Sequence, residues 1–417
     1  MSAVLKTIRH VRDQTLHPIM RAMRSEHKVY GPFQSLGSPE YHSFVGYYDI
    51  QPFNKAETRI LAGRCPADHN GRAMDQSLEI GYFDLEAQNF QRIASTDLWC
   101  WQMGCRLQWV EWKGKETILY NALNQGQPAT ILCDPETGDT IEIFDVPTYC
   151  ISGDGRYVVS LDFDNLEACR GGYGYDWKAT QKPTSPSRHA ELILYDAKEK
   201  TQTPIVDTER LKEVHHHPSM DHGDAIHYFN HIHFNPSASR ILCFHIWNTG
   251  GKRYVRALTM NRDGSDIKDV TKGQHVSHYW WLNDDEILFY CTDPHHGLGY
   301  HIYNQAGEYL QTLNKGIPNL DGHPSSPTIT AETPSFFISD TVVNRYFERD
   351  LWLYDIKAQK RTDLAHFYSP PVFNGPNRCD LHPRLSPNSR YIAVDSAHKG
   401  YRQVVVLDIQ NRLSGLT

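Results

Sequence analysis

The chain predicts an all-β fold, a seven-bladed β-propeller preceded by a short helical arm. Three observations carry this expectation. One two-part unit keeps returning along the 417 residues, its second half recurs seven times, and no helical period stands out after residue 28. The first half of the unit is an apolar strand, a turn built from Asn, Asp, Gly, Pro or Ser, and a second apolar strand. QPFNKAETRILAG at 51–63, ISGDGRYVVSLDF at 151–163, HFNPSASRILCFH at 233–245, WLNDDEILFYCT at 281–292 and RLSPNSRYIAVDSA at 384–397 are examples. The second half is a strand that ends in an Asp or Asn turn and a further strand, as in ATILCDPETGDTIEIFD at 129–145 and DLWLYDIKAQKRTDLA at 350–365.

In chain order, residues 1–28 read as a basic amphipathic arm. Val4, Ile8 and Val11 share one helical face, Leu16, Met20 and Met23 another, and six Lys and Arg residues surround them. Such an arm can pack on its own domain, on a partner or on an anionic membrane surface. Residues 29–417 read as the propeller, with blades near 44–97, 105–147, 149–207, 231–272, 278–316, 321–366 and 382–413. The last unit has a weak fourth strand and VYGPFQSL at 29–36 precedes the first, so pairing the N-terminal strand into the last blade would close the ring. Insertions near 64–77, 164–189 and 208–230 fall between strands, where propellers build binding sites.

The composition excludes several classes. Hydrophobic residues at 40% and aromatics at 12% supply a globular core. The net charge of −7 argues against nucleic acid as a partner. Nine cysteines stand singly without a CxxC pair, which points to reduced thiols and a cytoplasmic protein. No apolar run is long enough for a transmembrane segment, and the N-terminus has no secretory h-region.

The stretch 213–245, EVHHHPSMDHGDAIHYFNHIHFNPSASRILCFH, is dense in histidine and includes His217, His231 and His233. Its first part, to about Asn230, reads as a loop and its second as strand, turn and strand, which places His231 and His233 on one face. Imidazole serves as metal ligand and as general base near neutral pH, so the cluster reads either as a functional site or as a solvated His-rich loop. Tyr47 and Tyr48 in FVGYYDIQPF can stack on or hydrogen-bond a sugar, or pair structurally with Asp49. His323 sits in a loop that can line the same face. Trp99, Trp101, Trp109 and Trp112 suit inter-blade packing better than sugar stacking, and CRGGYGYDW at 169–177 reads as a flexible aromatic binding loop.

The runs NHIHFNPSASRILCFH, RALTMNRDGSDIKDV, SHYWWLNDDEILFY and LHPRLSPNSRYIAVDS resemble blades of the oligogalacturonate lyases, and more loosely those of the ulvan lyases. The resemblance covers roughly 225–410. It implies a seven-bladed propeller that cleaves uronate-containing oligosaccharides by β-elimination with a divalent metal, manganese first and calcium second. The family's metal site has a histidine at the start of a blade, matching His278, and a Gln-x-x-His-x-His run that aligns with Asn377 to His382. His382 is kept, while Asn377 and Asp380 stand where Gln and His are expected. The general base aligns with His231, and Arg210 and Tyr228 are the candidate helpers. His217, His233, His323, Tyr47 and Tyr48 are the candidate substrate contacts. A uronate lyase needs its carboxylate neutralised, a base for the adjacent proton and a proton for the leaving oxygen. The competing reading is a non-catalytic propeller that binds carbohydrate or protein, linked to polysaccharide assembly. The departures at Asn377 and Asp380 and the extra arm favour it.

Overall fold

The computed structural model describes residues 27–177, 186–214, 216–313, 315–317, 320–329 and 331–414. The sheets form seven four-stranded antiparallel units, and the chain is a seven-bladed propeller. Blade 1 runs through Tyr41–Phe44, Arg59–Pro66, Leu78–Asp84 and Phe90–Thr96, and blades 2 to 5 repeat the meander. In blades 1, 3, 4 and 7 the turn after the inner strand is locked by one polar side chain. Asn54 Oδ1 accepts from the Thr58 and Arg59 amides, Asn235 Oδ1 from Arg240, Ser152 Oγ from Tyr157 and Ser386 Oγ from Tyr391. A short side chain that replaces a backbone acceptor is the reason Asn and Ser recur there.

Closure is doubled. Strand β1 (His27–Val29) pairs with Lys360–Tyr368 at the outer edge of blade 6, and β2 (Phe33–Leu36) pairs with Gln403–Asp408 of blade 7. The second pairing is the expected ring closure; the first moves the start of the propeller back to His27. The preceding residues of the arm lie outside the described ones. In blade 6 the inner strand shrinks to a single bridge between Ser325 and Ile338, because Pro324 offers no amide and Gly322 presses against the Asp340 carbonyl. A truncation that removes 1–26 is expected to keep one cooperative thermal transition. Starting the chain at residue 37 strips two outer edges and should lower that transition sharply or abolish it, as read by circular dichroism.

Three local expectations are corrected. The His-rich stretch turns to strand earlier than expected, since the inner strand of blade 4 spans Ile226–Phe234. Short helices occur after residue 28, at Phe163–Cys169, Thr208–Glu213 and Gln410–Leu413, each too short to show a period. His231 has φ +51° and the register slips between Asn230 and His233, so a bulge breaks the alternation that put His231 and His233 on one face.

Candidate metal and base site in the channel

The inner strands bring residues remote in sequence to one end of the central channel. His278 belongs to the inner strand Val276–Trp281 of blade 5, and its Nδ1 lies 2.8 Å from Asp321 Oδ1. His323 lies on the chain beside blade 6, its Nδ1 2.9 Å and its amide 2.7 Å from Asp340 Oδ1. His382 precedes the inner strand of blade 7, with Nδ1 2.8 Å from the Gly46 carbonyl and its amide 3.2 Å from Asp340 Oδ2. The fully buried Asp340 thus ties two of the three histidines together. Gly46 has φ +122°, and a Cβ there would stand 2.9 Å from the Met103 carbonyl, so the position needs glycine. Asp395 holds the amides of Val45 and Gly46 at 2.8 and 3.1 Å.

Ring centroids of His278 and His323 are 4.2 Å apart, and those of His323 and His382 4.3 Å. Ligand atoms of His323, Asp380 and His382 all lie within 4.8 Å of one another. Each histidine directs Nδ1 at an oxygen acceptor, which fixes the proton there and leaves Nε2 with a free lone pair. His382 Nε2 is buried and has no hydrogen-bond partner among the described residues. A buried acceptor without a donor is costly unless something positive fills the gap. Two imidazole lone pairs and one carboxylate, with the His278 ring beside them, fit a divalent transition cation, and a nitrogen-rich set suits it better than it suits calcium.

Asp380 is held between Arg349, 2.7 Å away, and Arg378, 2.6 Å away. Burial alone would raise its pKa, yet the two guanidiniums keep it well below the usual carboxylate range. Burial, with the other cations nearby, pushes His278, His382 and His231 below free imidazole, so all three are neutral at pH 7.

Beside this cluster, His231 Nε2 lies 2.6 Å from the Tyr47 hydroxyl, and the His231 ring is 5.4 Å from that of His278. Tyr149 accepts the His231 amide at 2.7 Å and Tyr279 donates to its carbonyl at 2.7 Å, which holds the strained bulge in place. His231 Nδ1 is buried without a partner among the described residues. Burial, then the nearby Tyr173 and Tyr48, raises the Tyr47 hydroxyl far above its ordinary value. Arg170 donates to Tyr173 at 3.0 Å and leaves Nη1 unpartnered among the described residues, and Arg378 also bonds Tyr173. Arg170 and Arg253 both act on His231 electrostatically, and Arg253 shares a hydrogen bond with Tyr228.

The structure therefore brings together His231, His278, His323, Asp380, His382 and Tyr47, with Tyr228 at the margin. Tyr48 touches the histidines by its ring, while its hydroxyl donates to the Tyr279 carbonyl at 3.0 Å. Four expected site residues stand elsewhere. Arg210 follows the outer strand of blade 3 and bonds the Ile205 carbonyl at 3.0 Å. His217 is exposed and accepts from Ser219 beside Trp247 and Tyr254. Asn377 lines a lateral cavity of about 410 Å³ with Trp99, Trp101 and Glu167. His233 faces Trp280 at the other end of the channel. In space His323 takes the place expected of Asn377, and Arg170 with Arg253 the place expected of Arg210. His323 was legible only as a loop histidine; Arg170 stood in the CRGGYGYDW loop, where its role had no spacing signal.

Neutral buried histidines make the fold acid-sensitive. Burial, then Arg402, pushes His42 from its ordinary 6.5 to about 4. Between those values the unfolded chain binds more protons than the folded one, so stability is full above about 6.5 and falls as pH drops toward 4. His231, His278 and His382 act in the same direction. The thermal midpoint should fall steadily from pH 7 to pH 5, and a midpoint that stayed level or rose would contradict this.

Among solved structures the chain is similar to an oligogalacturonate lyase in complex with manganese, with a TM-score of 0.59, 14% identity, and coverage of 93% of this chain and 97% of that one. It is also similar to the oligogalacturonate lyase of Vibrio parahaemolyticus, with a TM-score of 0.60, 14% identity, and coverage of 93% and 100%. No family model and no curated protein matches the sequence. The fold is thus that of a seven-bladed propeller of the oligogalacturonate lyase shape. Among the described residues no helix is long and apolar enough to cross a membrane.

Proposed function

We propose that the protein is a carbohydrate-active propeller that cleaves uronate-containing oligosaccharides by metal-assisted β-elimination. The observation that carries this reading is the convergence of the His278, His323 and His382 rings and the Asp380 carboxylate beside the His231–Tyr47 pair. His323, Asp380 and His382 would hold a divalent cation with His278 beside them, and Mn²⁺ is the first choice from the donor set and from the ion bound to the similar lyase. When bound, the cation draws charge from the uronate carboxylate and acidifies the adjacent C–H bond. Arg170 and Arg253 attract the same carboxylate and orient the sugar. His231, neutral and with one ring nitrogen free, takes the proton. Tyr47 fixes the ring through the other nitrogen; as the electron pair left on carbon forms the C=C bond and the bond to the glycosidic oxygen breaks, that oxygen takes a proton from Tyr47 or solvent, and Tyr47 is reprotonated by His231. The test is release of unsaturated uronate product from oligogalacturonate, followed by ultraviolet absorbance, with and without added Mn²⁺.

A second reading rests on burial. Tyr47 is 1% exposed, His382 2% and His231 4%, and Tyr173, bonded to Arg378, sets its ring 6.0 Å from Tyr47 and 6.5 Å from His231. A cluster so enclosed also suits a structural cation that pins the blades of a glycan-binding propeller. Metal-dependent stability without turnover would select that reading.

A further inference from the structure

The channel has a second chamber at its other end. The inner strands carry the histidine cluster near their starts, and their far ends line a cavity of about 480 Å³, within the range of small-molecule pockets. All seven blades contribute to it. Trp109, His233 and Trp280 supply rings, and Gln51, Ser326 and Thr328 supply amide and hydroxyl groups. Tyr48 separates this chamber from the cluster, its ring 5.3 Å from His323 on one side and 6.1 Å from Trp280 on the other.

The buried charges of the wall are paired, and Glu111 adds one exposed carboxylate to the lining. Asp49 is bound by both Arg106 Nη atoms at 2.8 and 2.9 Å, and Arg384 pairs with Asp395 at 3.1 Å. Burial keeps His233 on the neutral side. An anionic ligand would therefore meet no uncompensated cation, whereas a neutral one sacrifices no ion pair. The half-buried Trp280, with His233 at 5.2 Å, presents an aromatic surface in the concavity. A sugar ring matches such a wall, since its C–H face packs on indole while its hydroxyls bond amides and hydroxyls.

We propose that this chamber is a binding site for a neutral saccharide unit, separate from the histidine cluster. The proposal does not rest on the lyase reading, because none of its residues belongs to the metal and base site. It is tested on the full chain with methyl α-D-glucopyranoside, methyl α-D-mannopyranoside and methyl β-D-galactopyranoside, and with sodium galacturonate as the charged comparison. Tryptophan fluorescence and saturation-transfer NMR report binding. At least one methyl glycoside should bind saturably, and galacturonate should displace it about 10-fold less effectively than a neutral glycoside, or worse. Trp280→Ala should weaken that binding by about 10-fold, the scale of one aromatic contact, and leave divalent-metal binding at the cluster unchanged. Gly153 lines the mouth and an added Cβ meets nothing within 4 Å, so Gly153→Trp can block the chamber without disturbing the fold. Loss of binding in both variants supports the proposal. No saturable binding by any glycoside, binding that survives both changes, or galacturonate that displaces the bound glycoside as effectively as another neutral glycoside overturns it.

Discussion

His231→Ala is expected to lose turnover of oligogalacturonate by about 100- to 10,000-fold, the usual contribution of a positioned base, while Mn²⁺ binds almost as before. The reason is geometric. His231 sits next to His278, but its Nε2 is taken by Tyr47, and the cluster formed by His323, Asp380 and His382 is complete without it. His233 cannot replace it, because the bulge at His231 leaves His233 in the opposite chamber. The double variant His231→Ala/His233→Ala should therefore match the single one. Metal titration followed by absorbance assays on the same preparations checks both parts. A drop in metal affinity equal to the drop in rate would place His231 among the ligands instead.

His382→Ala is expected to weaken divalent-metal binding by on the order of 100-fold or more. Changes to groups that merely orient a ligand already cost about 10- to 100-fold. The variant loses the buried Nε2 that has no other partner, together with the ring that bridges Gly46 to the cluster. Activity should fall with occupancy and return in part at high Mn²⁺. Removing the ring also leaves the Gly46 carbonyl with Arg384 alone, so some thermal stability goes with it. Isothermal titration with Mn²⁺ and a thermal melt in chelator separate the two losses. If affinity is unchanged, the cluster is not the metal site.

How much of this could be read from residues follows from where the information lies. The blades were legible because each is local: an apolar pair of strands, a turn closed by Asn or Ser, and the next strand, all within a short stretch. The closure by β2 was legible from the missing strand at the end. The second closure by β1 was not, since three residues, His27–Val29, carry no periodicity and their pairing is decided by an open edge far along the chain. His231, His278, Asp380 and His382, expected together from strand starts and resemblance, do converge in the channel. His323 was assigned to sugar contact, because a histidine between Gly322 and Pro324 gives no strand signal; its place is set by Asp340 on the next strand. Arg210 lies away from the channel for the opposite reason. Arg210 lay beside the His-rich stretch in sequence, yet a helix and an outer strand carry it away, while Arg170 reaches the channel through an insertion from the preceding blade. Chemical type was readable throughout; convergence across blades was not.

The central claim is that the channel cluster serves elimination chemistry on a uronate. The most direct measurement is ultraviolet absorbance of unsaturated product when the full chain, stripped of metal and then reloaded with Mn²⁺, meets oligogalacturonate and a panel of other uronate oligosaccharides. The account predicts product from at least one of them, dependent on the cation and lost in His231→Ala. Silence on every substrate by protein that binds Mn²⁺ and is stabilised by it would contradict the account and leave a propeller whose histidines hold a structural ion.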